Sequence, residues 1–314
     1  MTDRIKPGMI AHCDWSKDPK KRWMTVAIRH HDFWHLTKPE LVGNTSDLFE
    51  RLQMRTCSSG SMLVGFDFPI GLPVEYGRRT GFSHFRDALI AFGRGEWIDW
   101  FRVCEAADQI SVHRPFYPMR PGGTSRTRLL EGLSLTAGQI LRRCDKGTLE
   151  RSAACSIFWT LGGNQVGKGA ISGWQEILVP NIHDLKLWPF DGMLDELSRS
   201  ASLIVVETYP GEVYHQLGLP RHGWSKRRQT GRQHVAPMLE DRIVRKGYRL
   251  EDGFSDLIRH GFTASPSGED QFDALVGLLG MLDVVEDDRP DSFTMDRQTT
   301  EWEGWIFGQA ASEG

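Results

Sequence analysis

The chain contains no run of 18 apolar residues, so no stretch is long and apolar enough to cross a bilayer as a helix. It also has no Cys-x-x-Cys pair. Its five cysteines (Cys13, Cys57, Cys104, Cys144 and Cys155) are scattered and odd in number, which argues against a zinc motif or a disulfide framework and for reduced thiols. Neither sign of charge is in large excess: the formal net charge is -3 over 314 residues, so no global basic field marks a nucleic-acid binder. A metal-dependent nuclease remains compatible with that balance, because it gathers carboxylates in its site and confines basic residues to a groove. The opening residues, Met-Thr-Asp-Arg-Ile-Lys-Pro, lack the apolar core of a secretory signal. Together with the thiols this predicts a cytoplasmic protein. Low-complexity hinges and internal repeats are absent.

What the chain does have is an ordinary globular composition, 39% hydrophobic and 25% charged, with eleven Trp that speak against disorder. Its length suffices for a full core in one large domain or two modest ones.

The most informative stretch is 62–73, Met-Leu-Val-Gly-Phe-Asp-Phe-Pro-Ile-Gly-Leu-Pro. The apolar run 62–66 has the length and content of a buried strand. It delivers Asp67 at its end. Phe68 precedes a proline and is biased toward extended backbone, and Gly71 and Pro73 then turn the chain. α/β enzymes present catalytic groups in this way, at the carboxyl end of a buried strand. The plainer alternative is that Asp67 hydrogen-bonds its own turn.

The same pattern recurs. Residues 9–14 read as a strand ending in Asp14, and 23–29 and 33–36 as two more, joined by tight polar turns into an antiparallel meander. A helix is predicted over 45–55. From 74 to 200 the pattern becomes largely helical, with helical or mixed stretches at 82–92, 96–108, 149–159 and 191–200. Residues 202–206 are the strongest β-branched run in the chain and lead into Glu207-Thr208-Tyr209-Pro210. Helices follow at 211–217, 237–246 and 255–260. A long one spans 265–285, with Pro266 in its first turn and Phe272, Leu275, Val276, Leu279 and Leu282 on one face.

Asp14, Asp67 and Glu207 thus end three strand-like runs, and Asp273 lies in the second turn of the last helix. Carboxylates gathered in a partly buried site repel, at a cost of several kcal/mol unless cations compensate. Such a site implies Mg2+ or Mn2+, which favour oxygen ligands. Two such ions about 4 Å apart can activate a water and stabilise the leaving oxygen of a phosphodiester. Asp14, Asp67 and Asp273 are then the main ligands, with Glu207 a ligand or the group positioning the attacking water. Asp270 shares a helix face with Asp273, but Ser267 stands three residues ahead of it, so capping is its expected role. Gly277 and Gly280 continue that stripe and would let the helix approach the sheet closely, each at about 1 kcal/mol of helix propensity.

These stretches resemble a known family. Gly65-Phe66-Asp67-Phe68-Pro69-Ile70-Gly71-Leu72-Pro73 is similar to the vDxPLGLP signature of the DUF429 family of predicted nucleases. Cys13-Asp14-Trp15, Glu207-Thr208-Tyr209-Pro210, Asp273-Ala274-Leu275 and Glu303-Gly304-Trp305-Ile306 resemble it as well. The resemblance covers both ends of the chain better than 74–200. It implies a ribonuclease H-like mixed sheet (an antiparallel meander plus parallel strands) in 1–73 and 201–314, with 74–200 as a helical insertion.

Rival signals are present. Gly162-Gly163-Asn164-Gln165-Val166-Gly167-Lys168-Gly169 nearly spells a P-loop, GxxxxGK followed by Ser or Thr, but ends in Gly169, and 169–173 is poor in helix formers. A nucleotide-dependent ATPase or phosphotransferase is therefore the competing reading, and a catalytically silent binding protein the third. An actin-like phosphate loop at Asp14-Trp15-Ser16-Lys17 lacks the necessary glycines. Arg114, Arg120, Arg126 and Arg128, interleaved with Phe116 and Tyr117, combine cations with rings as nucleic-acid grooves do. Lys168, Lys226, Arg227 and Arg126 are the candidates for substrate phosphate. Runs of this kind more commonly form a solvated face.

Overall fold

The apolar runs of the sequence become neighbours in one mixed sheet. The computed structural model of the chain describes residues 5–56, 60–119, 125–147, 152–161, 166–290 and 296–310. β1 (Met9–Asp14), β2 (Trp23–His30) and β3 (Phe33–Leu36) form the expected antiparallel meander, with Ala11 opposite Val26 and Ile28 opposite His35. β4 (Glu40–Leu41) pairs briefly with β2, and α1 (Leu48–Gln53) leads into β5 (Met62–Phe66), which runs parallel to β1. The following segment carries α2 (Val74–Arg79), α3 (Phe85–Ala91), α4 (Arg126–Leu133), α5 (Val166–Gly173), β6 (Lys186–Leu187) and α6 (Leu194–Ser200). β7 (Leu203–Glu207) lies parallel to β5, with Val205 beside Val64. α7 (Pro210–Gln216), α8 (Gln229–Arg245), β8 (Arg249–Leu250), α9 (Phe254–Arg259) and α10 (Ser267–Val285) complete the chain's main elements. The strand order is β6-β7-β5-β1-β2-β3-β8. The architecture is α/β, as the sequence predicts, and no described helix is long and apolar enough to cross a membrane.

Side chains alternate across a strand, so each strand serves two cores. Met9, Ala11, Cys13, Val64, Phe66 and Val205 face a core shared with α1 and the aromatic side chains of 74–187. Ile10, Leu63, Ile204 and Val206 face a second core built with α7, α8, α9 and α10. The sheet is therefore sandwiched, and α10 runs along its second face.

The segment 74–200 departs from the expected helical insertion. It supplies the edge strand β6, paired with Ile204 and Val205 of β7, so the sheet is not confined to 1–73 and 201–314. Residues 96–108 hold only 3-10 turns at Gly95–Trp97 and Ala107–Gln109. There Trp97 and Trp100 are buried in an aromatic stack with Phe92 and Trp174, and that packing overrides the local helical pattern. Of 149–159, residues 152–159 are described and are not helical. Conversely, the glycine-rich 169–173 is helical, within α5, and continues as a π turn, Trp174–Leu178. Gly167 lies against the carbonyls of Ile157 and Trp159, and Gly173 against the Phe68 ring, so close packing recovers what the glycines lose in propensity.

The glycines of α10 act as expected, with one difference in partner. A Cβ at Gly277 would overlap the His12 ring of β1, whereas one at Gly280 would meet Val213 of α7 rather than the sheet. Gly65 of β5 makes room in turn for Met281 and Thr208. Gly277→Ala is expected to destabilise the fold by about 1–3 kcal/mol through overpacking, although alanine favours a helix by about 1 kcal/mol. Urea unfolding checks this, and an unchanged or higher midpoint would contradict the close approach.

Candidate functional site

Asp14 and Asp67 stand side by side because their strands do. β1 and β5 are paired through Cys13 and Phe66, and the Asp67 N–H donates to the Cys13 carbonyl at 3.2 Å. Cys13 and Phe66 point into the first core, so the residue after each points to the α10 side. Asp14 is only 8% exposed and Asp67 is partly buried. Among the described residues, neither carboxylate accepts a hydrogen bond or forms an ion pair. Burial, followed by repulsion from Asp273 and Asp67, raises Asp14 well above the ordinary carboxylate range. Burial and then Asp273 push Asp67 up to about 7, with Lys226 opposing.

Asp273 lies near both but is already engaged. The Tyr214 hydroxyl donates to one of its oxygens, and Lys226 Nζ stands 2.5 Å from the other. Burial would lower the Lys226 pKa, but Asp273, with Glu269 at 3.4 Å, raises it above the usual lysine value. Lys226 is thus the counter-ion of the acid cluster, a correction to its expected role on substrate phosphate. Asp270 is also corrected. No side chain caps α10, and the Ser267 hydroxyl instead meets Ser265 at 2.6 Å. Burial and then Asp273 push Asp270 up to about 6, so it belongs to the rim of the acid cluster.

Glu207 is the main departure from the sequence reading. It follows Leu203 and Val205 in phase, which places it on the first face of the sheet, away from the side that Asp14 and Asp67 share. There Arg142, fully buried, donates to its two oxygens at 2.6 and 2.7 Å and binds Asp145 at 2.9 Å. The Ile70 N–H adds a third bond, at 2.6 Å. The β5–β7 register pairs Phe66 with Glu207, so the position beside Asp67 belongs to Thr208. Thr208 Oγ1 is 2.9 Å from His12 Nε2, and His12 Nδ1 is 3.1 Å from the Ala274 carbonyl. Burial lowers His12 to about 3, so the ring is neutral. A carbonyl can only accept, which assigns the proton to Nδ1 and makes Thr208 the donor to Nε2. Arg142, Thr208, His12 and Tyr214 were not legible as site residues by composition; counting strand phase from Val205 would have exposed Glu207 and Thr208.

A cleft of about 900 Å³ opens at this end of the sheet, lined by Asp67, Glu207 and Thr208 and by Lys17, Lys21 and Lys168. Burial and then Lys17 lower the Lys168 pKa. Of the other cation candidates, Arg227 is exposed away from the cleft, and Arg126 stacks over Trp159 at 5.7 Å. Phe116 and Tyr117 are buried, so no stacking surface accompanies Arg114, and Arg120 lies outside the described residues. Residues 162–165 of the P-loop-like stretch also lie outside them. Before that stretch, 156–161 holds no strand beyond one isolated pairing of Trp159 with Tyr117.

Among the described residues, no group of three or more His, Cys, Asp or Glu is placed to hold a metal ion. Asp273 and Glu207 do not fit as ligands, since a cation already meets each. Asp14 and Asp67 do fit: Mg2+ is commonly held by one or two carboxylates, with water and substrate phosphate filling its other positions. No family model matches the chain, and no curated protein or solved structure does.

Two outcomes follow from this electrostatics. The unfolded carboxyl of Asp67 titrates near 3.8 and the folded one near 7, so the native state binds that proton more tightly and loses the benefit as pH rises between these values. In EDTA, Asp67→Asn should therefore gain stability relative to wild type from pH 4 to pH 7, measured by urea unfolding; a pH-independent difference would contradict the raised pKa. Arg142→Met, which leaves Glu207 and Asp145 buried without a cation, should cost about 3–5 kcal/mol in the same measurement.

Proposed function

We propose that the chain is a metal-dependent phosphodiester hydrolase acting on nucleic acid, built on a ribonuclease H-like core of the kind the DUF429 resemblance implies. The observation that carries this reading is the pair of partnerless carboxylates, Asp14 buried and Asp67 partly so, at the ends of adjacent parallel strands, with Asp67 lining a cleft that also holds three lysines. The element order supports the core: meander, helix, acid-tipped parallel strand, a further parallel strand, and a final helix bearing an acid. Cys13, Cys104 and Cys155 carry no disulfide, which supports a reducing, cytoplasmic setting.

Asp14 and Asp67 would hold one Mg2+ or Mn2+, rather than four acids holding two. When bound, the ion supplies Lewis-acid polarisation of a phosphoryl oxygen and a more acidic water. Asp67 reaches the cleft, where a phosphate could complete the coordination. Asp273 and Tyr214 fix Lys226 beside the pair, and its charge makes ionisation of Asp14 and Asp67 less costly. Arg142 and Glu207 brace the Ile70 turn that follows Asp67.

The test is cleavage of labelled DNA and RNA with Mn2+. Asp67→Asn should fall to background while Glu207→Gln, if folded, keeps activity. Cleavage by Asp67→Asn at the wild-type rate, or cleavage that persists in EDTA, would refute the proposal.

A further inference from the structure

Lys17, Lys21 and Lys168 line the cleft together with Asp67, and among the described residues none of them forms an ion pair. Exposed lysines on a polar turn are ordinarily free to spread apart in water. These are held on a braced scaffold. Arg22, 1% exposed, closes the 15–22 turn from inside: its Nε donates to the Ser16 carbonyl at 2.6 Å and its guanidinium lies 4.0 Å over the Trp15 ring. The same guanidinium binds Glu176 at 2.5 and 2.9 Å, beyond the end of α5. Trp15 Nε1 donates to Ser172 of α5 at 3.0 Å. The turn bearing Lys17 and Lys21 is thereby fastened to the helix bearing Lys168, and like charges are kept near one another. Asp18, the acid within that turn, accepts from the Lys20 N–H at 3.1 Å and caps the turn.

Three fixed lysines without ion pairs match a chain of phosphates, although the same lining holds Asp18, Asp67, Asp145 and Glu207. The cleft's volume, about 900 Å³, lies within the range of small-ligand sites, with room for a few nucleotides. Tyr209, 36% exposed, lines it too and offers a ring on which a base can stack. We infer that Lys17, Lys21 and Lys168 form a phosphate-binding rail for a single strand of nucleic acid, which they lead past Asp67. This rests on the phosphodiesterase reading for the nature of the substrate and adds its strandedness and the residues that grip it.

Binding without metal separates this inference from hydrolysis. Fluorescence anisotropy of a labelled oligothymidylate in EDTA compares wild type with the triple variant Lys17→Gln, Lys21→Gln, Lys168→Gln. Affinity should fall at least tenfold, and the slope of log K against log salt should shrink by about 2, from roughly 0.7 per lost phosphate contact. Arg227→Gln, off the cleft, should bind as wild type does, and a duplex of equal length should bind more weakly. Unchanged binding by the triple variant would overturn the rail, as would an equal loss in Arg227→Gln, and equally tight duplex binding would overturn the single-strand assignment. Strand binding without cleavage in Mn2+ would leave the rail standing and refute the hydrolase reading.

Discussion

The burial of Asp14 and Asp67 close to Asp273 is the constraint on which the rest of this architecture turns. The β1–β5 pairing fixes the two carboxylates next to each other and partly out of water, where a charge is costly unless another cancels it. α10 tightens the constraint. Gly277 against His12 and Gly65 beneath Met281 allow the helix to lie close on the sheet, which brings Asp273 toward the same spot. The fold thus concentrates negative charge at one end of the sheet instead of dispersing it.

Elsewhere several buried acids meet a cation. Glu207 and Asp145 share Arg142, Asp283 has Arg242, and Asp273 has Lys226. Asp14 and Asp67 depart from that pattern, with Lys226 acting on them only from a distance. Strained or uncompensated groups persist in native structures where function requires them. The cleft beside Asp67, with its lysines, is the place from which compensation can arrive, as a divalent ion and the phosphates that accompany it.

Much of the sheet was legible in the sequence because β-branched and apolar runs bounded by polar turns leave few alternatives. The meander, β5, β7 and α10 all fall where the pattern puts them. Asp14, Asp67 and Asp273 could be named because each follows or interrupts an apolar run. Glu207 could be named for the same reason, yet its environment could not. A one-residue difference in strand phase turns its side chain to the opposite face, and its counter-ion, Arg142, comes from a distant and irregular segment. That segment was also the least legible part of the fold. Its order comes from rings such as Trp97, Trp100 and Trp174 packing across long separations, not from a local period. Lys226 illustrates the same limit: a lysine in a basic run reads as exposed until tertiary contact with Asp273 is known.

The most direct measurement of the central claim is a calorimetric Mn2+ titration of wild type, the Asp14→Asn/Asp67→Asn double variant and Glu207→Gln, each verified as folded. The account predicts one ion bound by wild type and by Glu207→Gln, and none by the double variant. Binding that survives in the double variant, or that disappears only in Glu207→Gln, would contradict it.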